Sequence, residues 1–137
     1  MAARGVNVFF YGLFMDAELL RSKGAQPVNI RSASVPGFAL RIGQRATLVP
    51  DDNARAYGVL MELTHDEIDQ LYSEPTVRAY RAEAVIAEVG DRFPVPALCF
   101  NLVVPPSPDE ANPDYAAKLR ALALRLGLPA EYVESIR

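Results

Sequence analysis

The chain has 137 residues, of which half are hydrophobic, and a net charge of −3. This length suits one domain over residues 1–137, with enough apolar surface for one core. The 14 basic residues are scattered along the chain, which argues against a nucleic-acid partner because phosphate binding requires a clustered basic surface.

The start of the chain, Met1–Gly5, does not resemble a signal peptide, because too few apolar residues follow it before Gly12. The longest apolar run is also too short to span a bilayer. We therefore expect a cytoplasmic protein with no membrane partner. Cys99 is the only cysteine, so it cannot form an intramolecular disulfide, and its apolar neighbours predict a small buried side chain.

The sequence patterns in the first half of the chain predict one helix and several strands. A β-branched and aromatic segment, Val6–Tyr11, predicts a buried strand. Asp16 is a suitable N-cap for a helix over 17–23. The alternating segment Arg55–Leu63 predicts another strand. Between them lie short strand-like segments, whose breaks are at Pro36, Gly37, Gly43 and Pro50.

The second half predicts three helices and two strands. Thr64 and Glu67 form a capping box for a helix over 65–72. Pro75 cannot continue that helix, so Glu74 lies just before the break. The other predicted elements are strands at Tyr80–Val89 and Val95–Val104 and helices at 113–126 and 130–136.

These elements predict an α+β fold. Seven or so strand-like runs are joined by short links, which implies mostly antiparallel pairing. The helices lie at the flanks of the strand runs rather than alternating with them. We expect a mostly antiparallel curled sheet or small β-barrel flanked by short helices, not a helical bundle or a doubly wound parallel sheet.

Metal and cofactor sites are not predicted. One histidine and one cysteine cannot supply the usual zinc ligands, and no glycine pattern for nucleotide phosphates occurs. His65 belongs to the first turn of a helix, which argues against a Ser-His-Asp triad. The acidic pairs Asp51–Asp52 and Asp109–Glu110 lie in turn-like contexts and are interpreted as solvated loop charges.

Two features can support chemistry. The turn Tyr11–Met15 joins a strand to a helix, so its backbone amides lack helical partners and can bind a carboxylate or an oxyanion. The alternative is an ordinary turn whose apolar residues only pack. The second feature is Glu74, since a carboxylate desolvated beside aromatic residues can serve as an acid/base. Its alternative is a surface glutamate at a helix end.

Four motifs occur in the order found in a known family. Val8–Met15 resembles the opening strand and Tyr-Gly-Ser/Thr-Leu-Met loop of gamma-glutamylcyclotransferase-like proteins, and Tyr57–Leu60 resembles their second glycine-marked strand. Leu71–Pro75 followed by Tyr80–Arg81 resembles their Leu-Asp-x-x-Glu-Gly … Tyr-Arg block. Gly127–Tyr132 resembles the Gly-Leu-Pro-x-x-Tyr tail of glutathione-cycle members.

This resemblance implies roles for individual residues. Glu74 corresponds to the acid/base, Tyr80 to a tyrosine near it, and Tyr115 to an aromatic residue of the pocket. The loop that holds the glutamyl carboxylate and carbonyl corresponds to Tyr11, Gly12, Leu13, Phe14 and Met15.

The chain also departs from the family pattern. Leu13 replaces a hydroxyl residue, Phe14 replaces leucine, and Pro75 replaces glycine. The spacing from Leu71 to Glu74 is one residue shorter than usual.

The implied reaction is intramolecular: the α-amine of a γ-glutamyl group attacks its own γ-carbonyl, which gives 5-oxoproline and a free amine or amino acid. No cofactor is required, and the only partner is a small γ-glutamyl substrate. One alternative is a non-catalytic module that binds an anionic metabolite or a peptide end on the same fold. Another is a related acyl-group remover of secondary metabolism. The sequence carries no signal for an oligomeric state.

Overall fold

The computed structural model describes residues 5–137, so the expectation that no signal peptide begins the chain concerns residues outside this range. The described part contains five strands and four α-helices. In chain order they are β1 (Val6–Phe10), α1 (Ala17–Ser22), β2 (Val28–Ile42), β3 (Ala46–Leu63), α2 (His65–Leu71), β4 (Tyr80–Val89), β5 (Phe93–Leu102), α3 (Pro113–Arg125) and α4 (Ala130–Ser135).

The five strands form a closed barrel in the order β1-β3-β2-β4-β5. Neighbouring strands are antiparallel except where β1 meets β5, a parallel contact that pairs Val8 with Leu98 and closes the barrel. Closure removes the exposed sheet edges that an open sheet would present. The prediction of a mostly antiparallel α+β barrel flanked by short helices is confirmed.

The strand count is lower than predicted because β2 and β3 form one long ribbon instead of several short pieces. Pro36 and Gly37 lie at a β-bulge, where the register shifts before Phe38 and Gly37 has φ of +83°. A bulge accommodates these residues without ending the strand. Asp51 and Asp52 are exposed, as expected, but they lie within β3 rather than in a loop.

The helices begin at the predicted residues and end one residue earlier. The capping box of α2 is confirmed: the Thr64 hydroxyl accepts a hydrogen bond from the Glu67 amide at 3.2 Å, and the Glu67 carboxylate accepts one from the Thr64 amide at 2.8 Å. The Asp16 carboxylate accepts from the Glu18 amide at 3.1 Å at the start of α1. Local capping chemistry therefore fixes the helix starts.

The core fills the barrel and the space beneath α3. Leu60, Met61 and Leu119 are fully buried, and so is Cys99, which confirms the prediction for the cysteine. Burial, together with the charge of Glu83, raises the pKa of the Cys99 thiol to about 12. The thiol is therefore protonated near neutral pH, which excludes a nucleophilic thiolate under those conditions.

Gly58 lies where β3 passes against the end of β1, and it has no room for a side chain. A Cβ atom there would lie 2.1 Å from the Phe10 carbonyl oxygen and 3.0 Å from the Phe9 ring. We expect Gly58→Ala to lower the free energy of unfolding by about 1–3 kcal/mol, because backbone cannot yield as a side chain does. Urea denaturation measures the loss. Gly5→Ala, whose Cβ would meet only the Glu62 side chain, is the control, and an equal effect in both variants would contradict this explanation.

Candidate functional site

An aromatic cavity of about 330 Å³ opens between the turn after β1, the end of α2 and the turn between β2 and β3. This volume is at the small end of the range for ligand pockets. Half of its sixteen lining residues are aromatic. These eight aromatic residues come from five different parts of the chain. The aromatic lining residues are Phe9, Phe10, Tyr11, Phe14, Tyr72, Tyr80, Phe100 and Tyr115.

The turn after β1 forms one wall of this aromatic cavity. It continues as a short 3₁₀ helix over Leu13–Met15, in which the Met15 amide donates to the Gly12 carbonyl at 3.0 Å. Tyr11, Gly12, Leu13 and Phe14 line the cavity. Met15 does not line it, because its side chain is buried in the core. Binding of a carboxylate by the amides of this turn stays a prediction.

Tyr115 from α3 packs closely against the same turn. A Cβ atom at position 12 would lie 2.7 Å from the Tyr115 hydroxyl, so a side chain there would have to displace the Tyr115 ring. Burial raises the pKa of Tyr115, and the nearby Leu13 backbone partly opposes that rise.

Tyr72, the residue that follows α2, forms the opposite wall. Its ring stacks on Phe100 with centroids 4.0 Å apart and an angle of 14° between the planes. The edge of Phe14 packs against it at 5.8 Å, and Tyr80 lies at 6.3 Å. These contacts join α2, β4 and β5 around the cavity, and they fix the orientation of the ring.

The phenol groups of the cavity are held neutral. Burial raises the pKa of Tyr80 to about 12, and it raises the pKa values of Tyr11 and Tyr72 further above the usual range. Two of these hydroxyls donate to backbone carbonyls: Tyr11 to Phe100 at 2.7 Å, and Tyr80 to Ala46. At neutral pH the phenols therefore act as hydrogen-bonding or apolar walls and not as bases.

Glu74 lies outside this cavity. Its carboxylate accepts hydrogen bonds from Lys23 Nζ at 2.9 and 3.1 Å, and its side chain is 41% exposed. It lines a separate pocket of about 280 Å³ together with Lys23, Glu67 and Gln70. The structure thus brings the loop residues 11–14 together with Tyr80 and Tyr115, and it leaves Met15 and Glu74 apart. The acid/base role of Glu74 stays a prediction.

Tyr72 is one of several lining residues that the sequence analysis missed, and Arg45 and Phe100 are others. The segment Ile68–Ser73 can be aligned with the Leu-Asp-x-x-Glu-Gly block without any shortening, since Asp69 then takes the aspartate position. In that alignment Tyr72, which lines the cavity, occupies the glutamate position. The shortened spacing between Leu71 and Glu74 was the signal that could have revealed this second alignment.

Arg45 is the only charged residue among the sixteen that line the cavity. It lies in the turn between β2 and β3, and its side chain is exposed at the mouth. Within residues 5–137, no group of three or more histidine, cysteine, aspartate or glutamate residues is arranged to hold a metal ion. No helix of the described part is long and apolar enough to cross a membrane.

Comparison with known proteins agrees with this geometry. The model of the family described as gamma-glutamyl cyclotransferase, AIG2-like, matches residues 8–117. The chain belongs to this family. The match includes the turn after β1, the end of α2 and Tyr115, and it confirms the resemblance seen in the sequence. A search of the curated proteins finds no significant match.

Solved structures show the same fold at low sequence identity. A gamma-glutamyl cyclotransferase superposes with a TM-score of 0.76 at 18% identity, over 98% of this chain and 89% of that chain. An uncharacterised protein from Homo sapiens gives 0.75 at 20% identity, over 97% and 88%. YkqA from Bacillus subtilis gives 0.75 at 23% identity, over 96% of this chain and 52% of that chain.

Proposed function

We propose that this chain is a cytoplasmic ligand-binding protein whose aromatic cavity holds a small γ-glutamyl compound without cyclising it. The observation that carries the proposal is the composition of the cavity: a loop suited to an anion, surrounded by neutral aromatic residues, with no carboxylate or histidine among the sixteen lining residues. A shared fold does not by itself transfer a family's chemistry, because activity depends on the residues of the site.

Cyclisation requires a proton acceptor that this cavity does not offer. The attacking α-amine is an ammonium with a reference pKa near 8, so a base must remove its proton before attack. The Arg45 guanidinium is positively charged at all ordinary pH values and cannot serve. The phenols of Tyr72 and Tyr80 bind their protons more tightly than free tyrosine does. The groups that line the cavity therefore favour binding over turnover.

The second candidate function is the cyclotransferase reaction with Glu74 as acid/base. It is favoured by the family match and by the position of Glu74 two residues before Thr76, which lines the cavity. Partly exposed ion pairs contribute little free energy, so the carboxylate can leave Lys23 at low cost. Glu74 would then take the amine proton and return it to the leaving amine, while the amides of the turn stabilise the oxyanion.

One experiment separates the two functions. Wild-type protein and Glu74→Gln are incubated with γ-glutamyl amines, dipeptides and glutathione, binding is measured by calorimetry, and 5-oxoproline is measured by mass spectrometry. We expect at least one compound to bind, no enzymatic release of 5-oxoproline, and equal affinity for both proteins within twofold. The reason is that Glu74 lies outside the aromatic cavity.

Glu67→Gln is the matched control, because Glu67 lines the same outer pocket but belongs to the capping box of α2. Release of 5-oxoproline by the wild type would contradict the binding proposal. If Glu74→Gln then lost on the order of a hundredfold in rate while Glu67→Gln kept it, the cyclotransferase function would be established. A wild type that neither binds nor converts any compound of the panel would reject both functions.

A further inference from the structure

Arg45 presents a positive charge at the mouth of the aromatic cavity, and the proposed function does not yet use it. It forms no ion pair with any acidic side chain of residues 5–137, whereas Lys23 and Arg55 do. Arg45 and Tyr80 both line the cavity, and the Tyr80 hydroxyl donates to the carbonyl of Ala46, the residue that follows Arg45. An unpaired arginine beside an aromatic pocket is suited to an acidic group of a ligand.

The turn that carries Arg45 is held in place by its neighbours. The Gly43 amide donates to the Arg45 carbonyl at 3.0 Å, and Asn112 Nδ2 donates to the Gln44 carbonyl at 3.1 Å. A Cβ atom at position 43 would lie 2.3 Å from the Pro106 ring, so the turn packs directly on the segment before α3. A fixed backbone reduces the ordering that ligand binding requires of Arg45.

We propose that Arg45 binds a second acidic group of the ligand, which makes the ligand class a γ-glutamyl amide of an aromatic acid. The inference rests on the proposed function. The turn Gly12–Phe14 receives the glutamyl carboxylate, the rings of Tyr72 and Phe100 contact the aromatic body, and Arg45 receives the acid on that body. The apolar lining disfavours a strongly hydrated amino acid on the amide nitrogen, because such a group would lose water without gaining polar partners.

A matched pair of ligands tests this inference. The γ-glutamyl amides of aniline and of 3-aminobenzoic acid differ only by one carboxylate, and calorimetry gives the affinity of each. We expect the wild type to bind the benzoate about tenfold more tightly, which is the usual scale for a charge-assisted hydrogen bond. Arg45→Met is expected to remove this preference and to leave the affinity for the anilide within twofold of wild type.

Arg41→Met is the control, because Arg41 is an exposed arginine of the same ribbon that lines a different pocket. It should keep the preference, and thermal melting of both variants shows whether they are folded. Equal affinity of the wild type for the two amides would overturn the inference and leave the proposed function standing. A preference that survives in Arg45→Met would also overturn it. Failure of both amides to bind would overturn the inference too, and the γ-glutamyl site would be rejected with it only if no other γ-glutamyl compound binds.

Discussion

Replacing Tyr72 with alanine is expected to lower the free energy of unfolding by about 3 kcal/mol and to remove measurable ligand binding. The ring stacks on Phe100 at 4.0 Å and supports Phe14 at 5.8 Å, so its loss leaves a void on one wall of the aromatic cavity. Large aromatic-to-alanine changes cost about 3–5 kcal/mol in cores, and the cavity side of Tyr72 is already open, which favours the lower value. Urea denaturation and calorimetry measure the two effects.

Tyr72→Phe is the control for this prediction. It keeps both ring contacts and removes a hydroxyl for which the described residues provide no hydrogen-bond partner. We expect its stability to stay within about 0.5 kcal/mol of wild type and ligand binding to persist. A Tyr72→Ala variant that unfolds with the wild-type midpoint and still binds ligand would show that Tyr72 does not form the wall that the structure assigns to it.

Local signals explain why the helices could be predicted from the sequence. The Thr64 and Glu67 box and the Asp16 cap each depend on residues within one turn, so the sequence contains all the information needed. The long β2–β3 ribbon could not be predicted in the same way. Proline and glycine usually end a strand. Here Pro36 and Gly37 form a bulge because the residues on both sides of them pair with β3, and this pairing cannot be read from the local sequence.

The candidate site was also predictable only in part, because some of its features are local in the sequence and others are assembled from distant residues. The turn after β1 is a local feature of strand, glycine and helix, and it was found. The aromatic cavity is assembled from residues far apart in the chain, such as Phe100 in β5 and Tyr115 in α3, whose meeting depends on barrel closure. The direction of the Glu74 side chain depends on Lys23, fifty-one residues earlier, and no local pattern signals that pair.

The buried phenols also predict a sharp loss of stability at alkaline pH. Burial raises the pKa values of five tyrosines above that of an unfolded chain, to about 12 for Tyr80 and Tyr132. The unfolded state therefore releases its phenol protons first, near pH 10, while the folded state still holds them. The folded state then binds more protons than the unfolded state, so the free energy of unfolding falls as pH rises from about 10 to about 12. Below about pH 10 the stabilisation by the buried phenols is fully present.

The expected slope is large because several groups act together. Each phenol that stays protonated only in the folded state lowers stability by about 1.4 kcal/mol per pH unit, although the more exposed Tyr80 contributes less through solvent screening. Several such groups acting together are expected to remove a large part of the 5–15 kcal/mol that is typical of a domain. The tyrosines concerned are Tyr11, Tyr72, Tyr80, Tyr115 and Tyr132.

Phenolate absorbance and far-UV circular dichroism, followed together during a titration above pH 9, measure this transition. We expect both signals to change at one midpoint between about pH 10 and 12, because unfolding releases the protons. Tyr72→Phe removes one of these groups, so the dependence of its stability on pH should be shallower by about 1.4 kcal/mol per unit. Phenolate formation with a midpoint near 10, in a chain that keeps its native dichroism, would show that the phenols titrate freely in the folded barrel and are not buried as described.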